Sequence, residues 1–298
     1  MASSTSPTLR KALVSRVWAQ WIALGVYAVG KEDPSVVDPE ALVAVTAELG
    51  DTDARLRDAS TDWCVAYGRY VNGSRLRQVV RELGTPPASI GEYVATVAAA
   101  GGPRWPLATV ARADFGSRGK ARMESATSPA RLRIRLRAAF GVNARADVLA
   151  ALLSEPRVLM SISDLARRTR FTKPNVAFAV DALVLAGILD VQPVGNERRV
   201  RLAGRGEILP DLRPGIAQHD WVTRFGVAVR ALRFTDQAND QSTVVRAIEA
   251  RSLAQQLIDG IQSEALPLPD LGVLGQRFGP EFDRWVAALS RNLAVTGQ

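Results

Sequence analysis

Four stretches decide the fold: Asn143-Ala144-Arg145-Ala146-Asp147-Val148-Leu149-Ala150-Ala151-Leu152-Leu153; Ser161-Ile162-Ser163-Asp164-Leu165-Ala166-Arg167-Arg168-Thr169; Thr172-Lys173-Pro174-Asn175-Val176-Ala177-Phe178-Ala179-Val180-Asp181-Ala182-Leu183; and Gly195-Asn196-Glu197-Arg198-Arg199-Val200-Arg201-Leu202. Asn143 can cap a first helix, whose Val148, Leu149, Leu152 and Leu153 supply one buried face. Ser161 and Asp164 have the spacing of a capping box, which starts a short second helix with Leu165 and Ala166 inward and a turn at Arg170-Phe171. Thr172 is a good N-cap for a third helix. Pro174 is tolerated in its first turn because the N–H groups there have no helical partner. Val176, Ala179, Val180 and Leu183 form the buried stripe of this helix, and Gly187 ends it. Asp190 to Val194, the turn Gly195-Asn196 and Arg198 to Leu202 then predict a hairpin, with Val200 and Leu202 alternating against Arg199 and Arg201. Three helices followed by a basic two-stranded hairpin make a winged helix-turn-helix over residues 141–206.

On Ser163 to Thr169, Thr172 to Val176, Leu183 with Ala186-Gly187-Ile188-Leu189, and Gly195 to Leu202, the chain resembles the MarR/ArsR-type winged-helix transcriptional regulators. The resemblance is confined to about residues 143–202. It implies double-stranded DNA as the partner, a second helix lying across the backbone, and helix 172–187 reading the major groove mainly through its N-terminal residues. The implied readers are Thr172, Lys173, Asn175, Ala177 and Phe178. Asn175 would bond an adenine edge, Thr172 and Lys173 would hold phosphate or guanine, and Phe178 would touch a thymine methyl. Hairpin 190–202 becomes the wing, with Arg198, Arg199 and Arg201 reaching a phosphate or the minor groove. Two residues depart from the pattern: Phe178 stands where a polar or basic side chain is usual, and Asp181 adds a negative charge to the same outer side.

The formal net charge of +8 and a pI near 10.3 suit a polyanionic partner. Its placement says more than its size. Between Arg104 and Arg145 the basic residues are Arg104, Arg112, Arg118, Lys120, Arg122, Arg131, Arg133, Arg135, Arg137 and Arg145, against Asp114 and Glu124 alone. Arg131, Arg133, Arg135 and Arg137 alternate with Leu132, Ile134 and Leu136 like a strand, while Leu132, Leu136, Ala139 and Phe140 equally fit a helical stripe. In either form Arg131, Arg133 and Arg135 are candidate phosphate contacts beside the motif. The acid-rich segment from Glu32 to Asp62 is expected to face away from DNA.

The chain reads as mainly α, with flanking helical N- and C-terminal domains: residues 1–103, a basic connecting segment 104–140, the winged helix-turn-helix 141–206, and residues 207–298. Gly101-Gly102-Pro103 and Gly204-Arg205-Gly206 with Pro210 and Pro214 mark the breaks. Phe115-Gly116-Ser117-Arg118 imitates the opening turn of a nucleotidyltransferase site, but the paired carboxylates such an enzyme needs do not follow it. There is no P-loop and no Gly-x-Ser-x-Gly elbow, and a single cysteine (Cys64) with a single histidine (His219) leaves nothing from which to build a metal cluster. Cys64 reads as a buried thiol and His219 as a surface or capping residue. The apolar run Trp21 to Gly30 is too short to span a bilayer and reads as part of a core-facing helix with Val14, Val17, Trp18, Ile22 and Leu24. The expectation is a cytoplasmic, homodimeric, non-enzymatic transcriptional regulator without cofactor or membrane attachment. The competing expectation is an adaptor whose winged helix docks protein without base-specific DNA binding.

Overall fold

The computed structural model describes residues 5–50, 52–107, 109, 117–123, 128–195, 197–204, 218–238 and 241–294. Five helices come first: α1 (Thr5–Ala23), α2 (Pro39–Leu49), α3 (Ala54–Tyr67), α4 (Gly73–Leu83) and α5 (Pro87–Ala99). Asp38, Asp53 and Asn72 cap α2, α3 and α4 through their side-chain oxygens, so a cap residue in the sequence sets each start. Next come α6 (Leu132–Phe140), α7 (Ala144–Ser154), β1 (Met160–Ser161), α8 (Ile162–Thr169), α9 (Lys173–Leu185), β2 (Leu189–Val194) and β3 (Glu197–Leu202). The chain closes with α10 (Trp221–Gln237), α11 (Thr243–Ser263) and α12 (Phe278–Leu293).

The two flanking helical regions, expected as separate domains, share one core. Leu13, Val17 and Trp21 of α1, Leu42 and Val45 of α2, Phe225 and Val229 of α10, and Phe282, Val286 and Leu289 of α12 belong to a single buried apolar cluster. Helix α1 packs against α12 and α10, and α4 packs against α10. The chain therefore leaves a helical body to build the winged helix and returns to complete it. Each half carries an apolar face that the other covers, and sequence periodicity gives the face without naming its partner.

The winged helix has its own core, built from Leu149, Leu152, Leu165, Val176, Val180, Leu183, Leu189 and Val200 with Leu132 and Leu136 of α6. Val36, just before α2, also enters this core. The sheet has three strands in the order β1-β3-β2 rather than the two of the expected hairpin. Met160 lies opposite Val200 and Ser161 opposite Arg199 in the added pair. A two-residue strand has no periodicity for a sequence reading to detect.

The arginine run is helical, and three of its four charges turn inward. Arg131 and Arg133 are buried, as is Arg137, while Arg135 is half-buried. Arg131 Nε donates to the Ala23 carbonyl at 2.8 Å. Arg133 lies 2.9 Å from Asp147, and Arg137 lies 2.7 Å from Glu40 and 3.0 Å from Asp147. Arg75 pairs with Asp38 and Glu40 and donates through Nε to the Thr169 carbonyl at 2.9 Å. Three arginines and three carboxylates thus form a buried lattice joining α2, α4, α6 and α7. Burial alone would raise the Asp38 carboxyl, but the facing Arg75 and Arg133 outweigh it and hold Asp38 well below the usual carboxylate range. Arg131 and Arg133 are accordingly withdrawn as phosphate contacts, because a guanidinium sealed among internal acceptors cannot reach a backbone outside. Part of the acidic segment that was expected to turn away from DNA is the counter-charge to this run.

Candidate nucleic-acid interface

The helix-turn-helix is set by local chemistry. The Ser161 hydroxyl accepts from the Asp164 N–H at 3.1 Å, and the Asp164 carboxylate accepts in return from the Ser161 N–H and hydroxyl, a complete capping box. The hydrogen bonds from Ser161 and from Arg167 hold the Asp164 carboxyl below its ordinary value against a smaller effect of burial. Arg170, in the turn, takes a left-handed conformation with φ of 58°, unusual for a residue with a side chain. Its guanidinium fixes that turn by pairing with Glu82 of α4 at 2.6 Å and Asp220, the α10 cap, at 2.8 Å. The body therefore grips the turn from two sides.

Thr172 caps α9 by accepting from the Asn175 N–H, and Pro174 occupies the first turn. At the far end Gly187 has φ of 70°, with Gly187 N–H bonded to Val184 O and Ile188 N–H to Leu183 O, both at 2.9 Å. This paired closure needs a left-handed residue after the cap, which glycine supplies without strain. Thr172, Lys173, Asn175 and Phe178 are exposed and Ala177 is half-buried, while Val176, Ala179, Val180 and Leu183 are buried. The first turn and a half of α9 therefore presents these five side chains as one outward group. Phe178 is 76% exposed and Leu185 91%, so the helix carries an apolar component on its outer face.

In the wing, Leu189 faces Leu202, Asp190 faces Arg201, Val191 faces Val200 and Gln192 faces Arg199. Alternation puts Arg199 and Arg201 on one face, but Arg198 on the other, with Val200. Arg198 reaches back to α9 and pairs with Asp181 at 2.5 Å. Arg199 lies 3.1 Å from Glu197, and Arg201 lies 4.0 Å from Asp190. All three wing arginines thus have an acid nearby, two within the wing and one on α9, which the count of basic residues does not reveal. Helix α8 adds Arg167, whose side chain is 73% exposed and 2.8 Å from Asp164. In the sequence this residue stands out only as part of the motif, although its place in the last turn of the second helix is a usable signal. The turn residue Asn196 lies outside the described residues, as do Arg112, Asp114, Phe115, Gly116 and Glu124.

The remaining single candidates are structural. Cys64 is buried, and burial pushes its thiol up to about 12. His219 is half-buried edge-on to Trp221, and burial, aided by Arg224, lowers its pKa. Among the described residues, no helix is long and apolar enough to cross a membrane.

Compared with known proteins, residues 143–200 match the sequence model of the MarR family. No curated protein and no solved structure gives a significant match to the chain. The matched segment begins at the cap of α7 and ends within β3, so it covers the three helices and nearly all of the wing, leaving the helical body outside it.

Proposed function

We propose that the protein is a transcriptional regulator that binds specific double-stranded DNA sites, with α9 in the major groove and the β2–β3 wing against the flanking backbone. The observation that carries this reading is the outward group Thr172, Lys173, Asn175, Ala177 and Phe178 at the start of α9, inside a segment that matches the MarR family. Thr172 and Lys173 hold phosphate or guanine, Asn175 reads an adenine edge, and Phe178 packs on a thymine methyl. Arg199 and Arg201 take the wing to phosphate or the minor groove, with Arg198 behind them, and Arg167 and Arg135 contact the backbone nearer α8 and α6. The ion pairs on this face do not oppose docking strongly. Exposed pairs are worth about 0–1 kcal/mol, so exchanging a carboxylate for a phosphate costs little. Two copies of the chain reading two half-sites supply the site length that one reader lacks.

The test is gel-shift binding of the full chain to duplex DNA from upstream of its own coding region, across a salt series. Sequence-dependent binding that weakens linearly in log affinity against log salt is the expected result. Absence of binding at low salt contradicts the reading. In that case the exposed Phe178 and Leu185 favour the second reading, a winged helix that docks a protein.

A further inference from the structure

The helical body contains a groove of about 1110 Å³, far from α9 in sequence and outside the family-matched segment. Its walls are α1, the loop after it, the start of α3, and the strap Arg118 to Ala121. The floor is apolar: Val14, Trp18 and Ile22 of α1 line it with Val26 and Ala59. These three α1 residues are only half-buried, whereas Val17 and Trp21 on the adjoining stripe of the helix, and Leu24 just after it, lie fully in the core. At the rim Tyr27 is 86% exposed and Val29 is fully exposed, an unusual outlay of apolar surface for a loop.

The polar part of the wall is cationic. Three of the chain's four lysines, Lys11, Lys31 and Lys120, line this one groove, together with Arg10, Arg55 and Arg118. Arg10 pairs with Asp236, and Arg55 lies 3.7 Å from Asp53. Lys11, Lys31, Arg118 and Lys120 are all exposed and have no ion-pair partner among the described residues. Of the wall's three acids against six cations, Asp58 is exposed, and the other two are already engaged. Asp53 accepts from Trp18 Nε1 at 2.9 Å and caps α3. Asp62 accepts from the Ser117 hydroxyl and from the backbone N–H groups of Arg118, Gly119, Lys120 and Ala121. Burial works against the Asp62 charge, but this nest of donors outweighs it and holds the carboxyl below its ordinary value. Asp62 thereby pins the strap that brings Arg118 and Lys120 to the groove, and its own charge is met by five donors.

From this juxtaposition of an apolar floor with cations that no described acid pairs, we infer a binding site for a small organic anion with an apolar body: an aryl or alkyl carboxylate, sulfonate or phosphate. The floor gains from covering Trp18, Ile22 and Tyr27, and the anionic head gains from Lys11, Lys31 and Lys120 at the rim. A recess walled on several sides suits a compact ligand rather than a flat lipid surface. The inference stands apart from the DNA reading, since none of its residues belongs to the winged helix.

The test titrates the full chain with 8-anilinonaphthalene-1-sulfonate and with its uncharged relative N-phenyl-1-naphthylamine, following probe fluorescence. The sulfonate should bind saturably and more tightly than the neutral probe. Lys11→Ala combined with Lys120→Ala changes exposed side chains only. It should weaken the sulfonate roughly tenfold, as expected for two partly screened charges, and leave the neutral probe unchanged. Tyr27→Ser should weaken both probes, and Leu185→Ser, on the distant α9 patch, neither. Equal affinity for the two probes, indifference of the sulfonate to the lysine changes, or loss of binding with Leu185→Ser would each overturn the assignment. Circular dichroism of every variant separates these results from misfolding.

Discussion

Asn175 and Lys173 sit two residues apart at the exposed start of α9, yet in the proposed docking their chemistry would give them different work. An amide can make a two-point bond to one adenine edge, whereas an ammonium is a point charge that any phosphate satisfies. Asn175→Ala should therefore cost about 1–3 kcal/mol at one base position and leave other positions unaffected, as competition with single-base variants would measure. Lys173→Ala should weaken all sequences alike and lower the salt slope by about 1. Arg199→Ala should behave like Lys173→Ala. These residues were legible in the sequence because capping and periodicity place a helix start at Thr172 and fix which side is outward. Arg131 and Arg133 were not. A residue type and a spacing show which groups share a face, but only tertiary packing shows whether that face meets water or Asp38 and Asp147.

At the scale of the element, the wing and α9 are coupled by the Arg198–Asp181 pair. Asp181 lies near where DNA would dock, so its carboxylate both repels phosphate and occupies Arg198. Asp181→Asn should raise DNA affinity roughly threefold at low salt, in line with the worth of an exposed pair, and the gain should shrink as salt rises. A decrease in affinity would show that the pair is needed to orient the wing. The capping box, the Thr172 cap, the Gly187 closure and the β2–β3 hairpin were all readable because each depends on neighbours in sequence. The β1 strand and the grip of Glu82 and Asp220 on Arg170 were not, since these partners are distant along the chain.

For the whole molecule, the controlling feature is the buried lattice of Arg75, Arg133 and Arg137 with Asp38, Glu40 and Asp147, which ties the winged helix to the body. Removing one charge from such a lattice strands its partners, and Asp147→Asn should lower stability by about 3–5 kcal/mol in urea unfolding. The lattice also sets an acid limit. Because the folded Asp38 carboxyl is held below its unfolded value, its contribution is present above the unfolded pKa of about 4 and is lost as pH falls through the lower folded value. Urea midpoints should thus decline below about pH 4, and Asp38→Asn should flatten that decline. In solution the chain should scatter light as a species of twice its 32.1 kDa mass, whereas a monomer at assay concentrations would leave one reader per site. The shared core of α1, α10 and α12 was illegible from sequence for the same reason as the lattice: its two halves lie at opposite ends of the chain.

The proposed function stands on α9 reading base sequence. Selection from a pool of randomised duplexes, run with the native protein and with Asn175→Ala, tests it most directly. The native chain should enrich a defined motif, and Asn175→Ala should lose preference at one adenine while keeping the rest. Failure of the native chain to enrich any motif would contradict it.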